Sequence, residues 1–446
     1  MLDPTITTKI SSFLQTSITD SLSDWYTLLV AGDLRTAEQQ LAECSVQIHT
    51  VVLKLLLPAA AQQFEREHSC PAGVRAVRRA HRIRIATGHQ VELTSLYYKA
   101  VPQDYQGTRR PLLAHWHSFE GSSPLLFDRT GFMAMLAPSY ELAHQGLTKF
   151  GLTLCLSSVQ KITSRLAERC DDIGHENLIV EPDYSLKDKT VVISLDGGRS
   201  RVREYTTQCN ENGQPTYHTP WREPKLFVID VLNEQGHADR HELPIYGCQF
   251  HEDDVVNLLA RYLKKINIHQ AARVQLIADG APWIWNRVPQ VLIQAGVPEQ
   301  RLTQTLDFYH CSEYIHSLVK AMPQRIGKKK RKQLLNEFLQ GIKTGQTPVM
   351  VGKIKTIFLR PTGLVKRWIR YLEKHTPRMQ YAHYKSVGLM CGSGIIESAI
   401  RRIINLRFKN ASTFWLQENV EKLYFLRAAL VAGRWDIVME NLTDSG

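Results

Sequence analysis

Two short apolar runs constrain this chain most, because each ends in an aspartate followed by glycine. Val191-Val192-Ile193-Ser194-Leu195 leads into Asp196-Gly197-Gly198, and Val274-Gln275-Leu276-Ile277-Ala278 leads into Asp279-Gly280. Apolar runs of this length, bounded by turn residues, read as buried strands. Each acid therefore falls where burial of its strand ends. Around them, residues 199–207 and 225–232 predict two more strands, and HEDDVVNLLARYLKKIN an amphipathic helix. A further helix follows Asp279, and RLTQTLDFYH predicts a last strand.

Three early strands, then helix, strand, helix and strand predict an α/β (α+β mixed-sheet) fold of ribonuclease-H-like order. In that arrangement the first and fourth strands lie side by side, so Asp196 and Asp279 face each other. Glu397 sits in GSGIIESAIRR, just inside a helix opened by Gly392-Ser393-Gly394, and would close the cluster. Three carboxylates brought together repel unless cations bind. Mg²⁺ takes carboxylate oxygens while keeping waters, and two such ions ~3.5–4 Å apart clamp the attacking and leaving oxygens of an in-line displacement. The expected cofactor is Mg²⁺ or Mn²⁺, two ions held by Asp196, Asp279 and Glu397. Asp230 and Asp307 are rival strand-end acids. Asp307 is the stronger rival, with His310 beside it; both are read as supporting residues behind the three ligands.

The flanks divide by character. Residues 1–68 read as helical. Residues 69–130 hold PAGVRAVRRAHRIR and an alternating stretch around Thr87-Gly88, which predicts a basic β-hairpin. Residues 131–185 read as a helix-turn-helix: a first helix from Ser139, a turn at Phe150-Gly151, and a second helix capped by Ser157. Its apolar stripe would be Val159, Ile162 and Leu166, leaving Lys161 and Arg165 outward for DNA. The catalytic region spans 186–312 and resumes at 389–446. Between them, 313–388 is a basic helical insertion. Lys328, Lys329, Lys330 and Arg331 form a charge run there, and Lys366, Arg367 and Arg370 interleave with Trp368 and Tyr371. Basic residues among aromatics suit phosphate contacts and base stacking.

Lys and Arg number 55 against 43 Asp and Glu, a net charge of +12, so a polyanionic partner is expected. The eight cysteines contain no C-x-x-C pair, which argues against a zinc finger. No secretory leader is legible, and no run approaches the ~18 apolar residues of a membrane helix. The expectation is a cytoplasmic, nucleoid-associated protein with no membrane and no small-molecule substrate.

The segments LDGGRSRVRE, ADGAPWIWN, LDFYHCSEYIH, GSGIIESAIRRIINLRFKNASTFW and VEKLYFLRAALVAGRWD together resemble bacterial insertion-sequence DDE transposases of the ISKra-like group. The resemblance runs from about 138 to 436. It implies that Asp196, Asp279 and Glu397 are the metal-binding triad and that Arg407, Lys409 and Trp415 belong to a motif after the catalytic helix. Arg401, on the Glu397 face four residues on, and Arg402, Arg407 and Lys409 are candidate DNA contacts. The implied activity is binding of the element's terminal repeats, DNA strand cleavage, and strand transfer to target DNA by a homodimer or larger assembly. A nuclease that cuts without joining shares every residue named. A catalytically silent DNA-binding descendant is a third reading. A phosphate-binding ATPase of the actin-like class would need a duplicated domain, and one copy of the pattern is legible.

Overall fold

The computed structural model describes residues 3–119, 121–409 and 414–444. The chain forms two compact units, Met1–Cys170 with Met439–Gly446, and Asp171–Val438. Residues 410–413 of the resemblance motif lie outside the described residues.

The first unit opens with two long helices, α1 (Pro4–Val30) and α2 (Leu34–Glu67). Asp3 and Asp33 cap them by accepting from the backbone N–H of Thr5 and Thr36. Strands β1 (Arg75–Arg84) and β2 (Gln90–Ala100) then pair antiparallel, with Ile83 opposite Val91. The turn holds Gly88 at φ +85, a conformation that side chains disfavour. Burial alternates along β2, so one face of the hairpin is apolar. Ile83, Ile85, Val91 and Leu93 pack there with Ala61 and with Leu112 of α3 (Pro111–His115). The expectation that no segment is long and apolar enough to cross a membrane is corrected by α2, which passes that test on length and composition. Its Leu53, Leu57 and Phe64 lie against the hairpin cluster instead.

Helices α4 (Pro124–Leu136), α5 (Tyr140–Lys149) and α6 (Leu156–Ile173) follow. Ser139 caps α5, accepting from Leu142 N. Ser157 does not cap α6: the helix already begins at Leu156, and Ser157 Oγ lies 3.3 Å from Cys155 Sγ. Val159, Ile162 and Leu166 form the buried stripe, and Lys161 is exposed.

The second unit begins with α7 (His175–Leu178) and is built on one mixed five-stranded sheet. Strand β3 (Thr190–Gly197) is its centre. Four short strands come next, β4 (Ser200–Arg201), β5 (Glu204–Cys209), β6 (Pro215–His218) and β7 (Trp221–Arg222), which pair only as β4–β7 and β5–β6. Then β8 (Lys225–Leu232), β9 (Ile245–Gln249), α8 (Glu252–Lys265), β10 (Arg273–Ala278), α9 (Pro282–Gln294) and β11 (Leu302–Leu306) complete the sheet in the order β11-β10-β3-β8-β9. Strand β3 is parallel to β10 and antiparallel to β8. The strand expected at 199–207 does not join this sheet. Its residues are mostly exposed, whereas Ile245–Cys248 are all buried, and β9 takes that place beside β8.

Five helices, α10 (Phe308–Lys320), α11 (Lys328–Lys343), α12 (Thr347–Ile357), α13 (Gly363–His375) and α14 (Tyr381–Ser386), separate the sheet from α15 (Gly394–Ile400). Helix α15 runs on through a π-helical turn, Arg401–Asn405, into α16 (Leu406–Phe408). Helix α17 (Gln417–Ala432) ends at Gly433 in the left-handed region. Next to it Arg434, 2% exposed, donates to the carbonyls of Ile179, Leu243 and Pro244 and pairs with Glu181. Arg434→Met leaves those buried acceptors without donors. It should lower the unfolding free energy by about 3–5 kcal/mol, read by urea denaturation at neutral pH.

Candidate active site

The register of two strands brings the first two acids together. In the parallel pair β3–β10, Leu195 stands opposite Ala278, so Asp196 and Asp279 are the next residues at the same sheet edge. Neighbouring strands lie about 4.8 Å apart. Burial raises the Asp196 carboxyl to about 6; the charges of Asp279 and Glu223 add to the rise, while the Gly197 N–H and His310 oppose it. The Gly197 amide donates to Asp196 Oδ1 at 2.7 Å. Asp279 Oδ1 accepts from Ala281 N at 2.9 Å at the start of α9, and Trp285 Nε1 donates to the Asp279 carbonyl at 2.6 Å.

Both Asp-Gly turns need glycine for close approach. A Cβ on Gly280 would enter the Tyr371 ring, and one on Gly198 would lie 2.5 Å from Ile404 Cδ1. The first contact brings α13 over the Asp279 turn, and the second seats the helix that carries Glu397 beside the Asp196 turn. Residue spacing gave no sign of either contact, although the glycines themselves were legible.

Asp307 follows β11 and is fully buried. Its N–H donates to the Ala278 carbonyl at 2.8 Å, so it sits next to Asp279 at the sheet edge. Asp307 Oδ1 accepts from Tyr309 N at 2.6 Å and caps α10. Oδ2 accepts from the Ser393 hydroxyl and meets His310 Nδ1 at 3.3 Å. Burial pushes this carboxyl up, but the hydrogen bonds from His310, Ser393 and Tyr309 outweigh it and hold it below the usual range. The bond to Asp307 raises His310 to about 9 against the opposing effect of burial, and the charges of Asp307, Asp279 and Asp196 reinforce the rise. At neutral pH His310 is an imidazolium serving three carboxylates.

The approach to Glu397 is stitched to the same edge. Gln275 of β10 donates to the Met390 carbonyl at 2.7 Å and accepts from Met390 N at 2.9 Å. Phe308 N donates to the Cys391 carbonyl at 2.9 Å. With Ser393 bound to Asp307, α15 is delivered so that ligand atoms of Asp307, His310 and exposed Glu397 lie within 4.8 Å of one another, a group able to hold a metal ion. The structure thus joins Asp196 to Asp279, and Glu397 to Asp307 and His310, with His310 acting electrostatically on Asp307, Asp279 and Asp196. Asp307 and His310, expected to stand behind the ligands, lie within ligand distance of Glu397. Among the described residues no lysine or arginine pairs with Asp196, Asp279, Asp307 or Glu397.

The rival Asp230 is removed from this edge. It stands opposite Val192, four positions down β3 from Asp196, or about 13 Å. Burial raises it to about 6, with Asp239 adding and the Val231 N–H, Arg402 and Arg434 opposing.

The basic candidates separate by burial. Lys161, Lys328, Lys329, Lys330, Lys366, Arg367, Arg370, Arg401 and Lys409 are exposed. Arg165 is half-buried and pairs with Glu168 at 2.8 Å. Arg402 donates to Tyr246 Oη at 2.9 Å. Two expectations are corrected. Arg407 is 1% exposed and stacks on Phe408 and Trp415, so its guanidinium is part of the core. Arg331 spends its donors on the carbonyls of Lys320, Met322, Pro323 and Ile326, closing the turn before α11.

No protein-family model matches the chain, and no curated protein matches its sequence. One solved structure that aligns is the Drosophila P element transposase strand transfer complex. It is 10% identical over 73% of this chain and 96% of that one, at a TM-score of 0.34, a level that defines neither fold nor function.

The aromatic support behind Asp279 has a pH signature. His375 lies 4.7 Å from the Tyr371 ring and 5.9 Å from Trp285, and is 1% exposed. Burial lowers it to about 4, with the Arg378 and Lys374 charges adding. Between that value and the 6.5 of a free histidine the unfolded chain binds more protons, so this stability is present above pH 6.5 and is lost as pH falls towards 4. Unfolding free energy should drop by about 2 kcal/mol between pH 7 and 5 on account of this residue. Denaturation of His375→Phe at the two pH values should show that much less dependence.

Proposed function

We propose that this chain is a DDE transposase of a bacterial insertion sequence, with a ribonuclease-H-like catalytic core. It would bind its element's terminal repeats, cut DNA strands and join them to target DNA. The observation that carries the reading is the pairing of Asp196 with Asp279 at the ends of adjacent parallel strands, with Glu397 brought to the His310 that senses both. The strand order supports the same reading: the first and fourth strands of the sheet are neighbours and the second runs antiparallel.

The donor set suits hard divalent cations, since it offers carboxylate oxygens, with Asp196 lifted by burial and further by the Asp279 charge, and among the described residues His310 offsets that charge. Asp196, Asp279 and Glu397 would hold Mg²⁺ or Mn²⁺, two ions in this reading, with Asp307 also in reach of Glu397. When bound, such ions supply Lewis-acid stabilisation of the oxygens that attack and leave phosphorus. The protein's own residues position the reaction. His310 balances carboxylate charge and fixes Asp307, and Ser393 ties the Glu397 helix to it. Exposed Arg401, Lys409 and Lys161, with the α11 and α13 cations, supply phosphate contacts for element ends and target. Water attack on a phosphodiester frees a 3′-hydroxyl; that hydroxyl then attacks a second strand and displaces its 3′-oxygen. Two ends must be handled together, so a homodimer or larger complex on DNA belongs to the proposal. A nuclease that stops after hydrolysis uses the same residues, and joined products separate the two.

Asp196→Ala, Asp279→Ala and Glu397→Ala should each lower cleavage of a terminal-repeat duplex by at least ~10²-fold in Mg²⁺, with duplex affinity little changed. Gel assays of nicked and joined products check this, and full activity in any one variant would remove that residue from the centre. Because Asp196 titrates near 6 in the metal-free chain, protons compete for it. Mn²⁺ affinity measured by calorimetry should be nearly flat above pH 7 and fall by about tenfold per pH unit well below 6.

A further inference from the structure

Residues 198–224 leave and rejoin the sheet beside Asp196. Gly198 N donates to the Pro224 carbonyl at 2.8 Å, and the Glu223 carboxylate fills the space that a Cβ on Gly197 would need. The pairs β4–β7 and β5–β6 form a ribbon between these ends, closed by a turn in which Asn210 Oδ1 accepts from Asn212 N and Gln214 N. A solvated ribbon of this kind has no packing need for large rings, yet Tyr205, Tyr217 and Trp221 are 55%, 43% and 51% exposed.

Cations lie over two of the rings. The Arg201 guanidinium and the Lys409 ammonium are each 5.5 Å from the Trp221 centroid, and Arg203 is 4.4 Å from that of Tyr217. The Nε atoms of Arg201 and Arg203 are buried without hydrogen-bond partners, so packing on the rings, with an Arg201 bond to Thr219, holds these guanidiniums. Two of the ribbon's three acids are matched, Glu204 to Arg222 and Glu223 to Lys225, and the third, Glu211, lies in the turn at its far end. What remains is a row of open aromatic surface under positive charge, rooted at a catalytic-site carboxylate.

We propose that this ribbon stacks unpaired DNA bases beside the phosphodiester handled at Asp196, a claim that rests on the transposase reading above. Bases within a duplex already cover each other's faces, whereas an unpaired base offers its face to a ring, and phosphates follow the cations. The ribbon therefore favours frayed or single-stranded DNA over a closed duplex.

The test measures anisotropy of a labelled oligothymidine and of a blunt mixed-sequence duplex on the full chain. Trp221→Ala and Tyr205→Ala should each weaken oligothymidine binding by about tenfold, leave duplex binding within about twofold, and keep the wild-type melting temperature; Trp221→Phe should restore most of the loss. Tyr205→Ala, on an exposed strand, stands as the decisive variant if Trp221→Ala unfolds. Unchanged oligothymidine affinity in Tyr205→Ala, or equal losses on both DNAs, would overturn the stacking proposal while wild-type cleavage left the transposase reading in place. A wild-type chain that binds neither DNA would overturn both.

Discussion

Like charges forced together at the edge of a buried sheet govern the rest of the second unit. Strands β3 and β10 run parallel and in register, so Asp196 and Asp279 emerge side by side. Neither can move away, because each terminates a strand whose neighbours are buried on both faces. The cost appears as an Asp196 carboxyl held near 6 by burial and by Asp279. Glu223 beside the Asp196 turn adds to that charge, and His310 opposes it.

His310 provides the offset from within the chain. It is a cation because Asp307 is buried, hydrogen-bonded and negative. Asp307 also caps α10 and, through Ser393, binds the segment leading to Glu397. Gln275 and Phe308 add backbone bonds to Met390 and Cys391. One acid therefore links helix capping, charge balance and delivery of a helix from almost ninety residues further along the chain. The inserted helices close over the centre from another side, with Tyr371 against the Gly280 turn. In the proposed function this arrangement offers an acidic centre for divalent cations, with a cationic and aromatic ribbon opening directly from it.

Parts of this were legible in the residues themselves. The two apolar runs with terminal Asp-Gly predicted β3 and β10, and the requirement that neighbouring strands share an edge predicted that the acids meet. The strand expected at 199–207 failed because the segment belongs to a solvent-exposed two-stranded ribbon, and a ribbon has the same period as a buried strand. The real sheet strand, Ile245–Gln249, is five residues with a glycine at its centre, too short to stand out from the sequence. Arg407 and Arg331 were read as DNA contacts because their charge is visible in a sequence and their burial or carbonyl partners are not.

Sequence by itself determined the local chemistry: which residues are acids at strand ends, which glycines leave space, and which segments carry positive charge. These follow from residue type and short-range spacing, which the chain specifies directly. Only the tertiary structure decided that Asp307 and His310 join Glu397 within ligand distance, that Tyr371 covers the Asp279 turn, and that Arg201, Arg203 and Lys409 converge on the rings of one ribbon. Those are contacts between residues far apart in the chain. Their partners are fixed by packing of whole helices against the sheet, a property that no local pattern encodes.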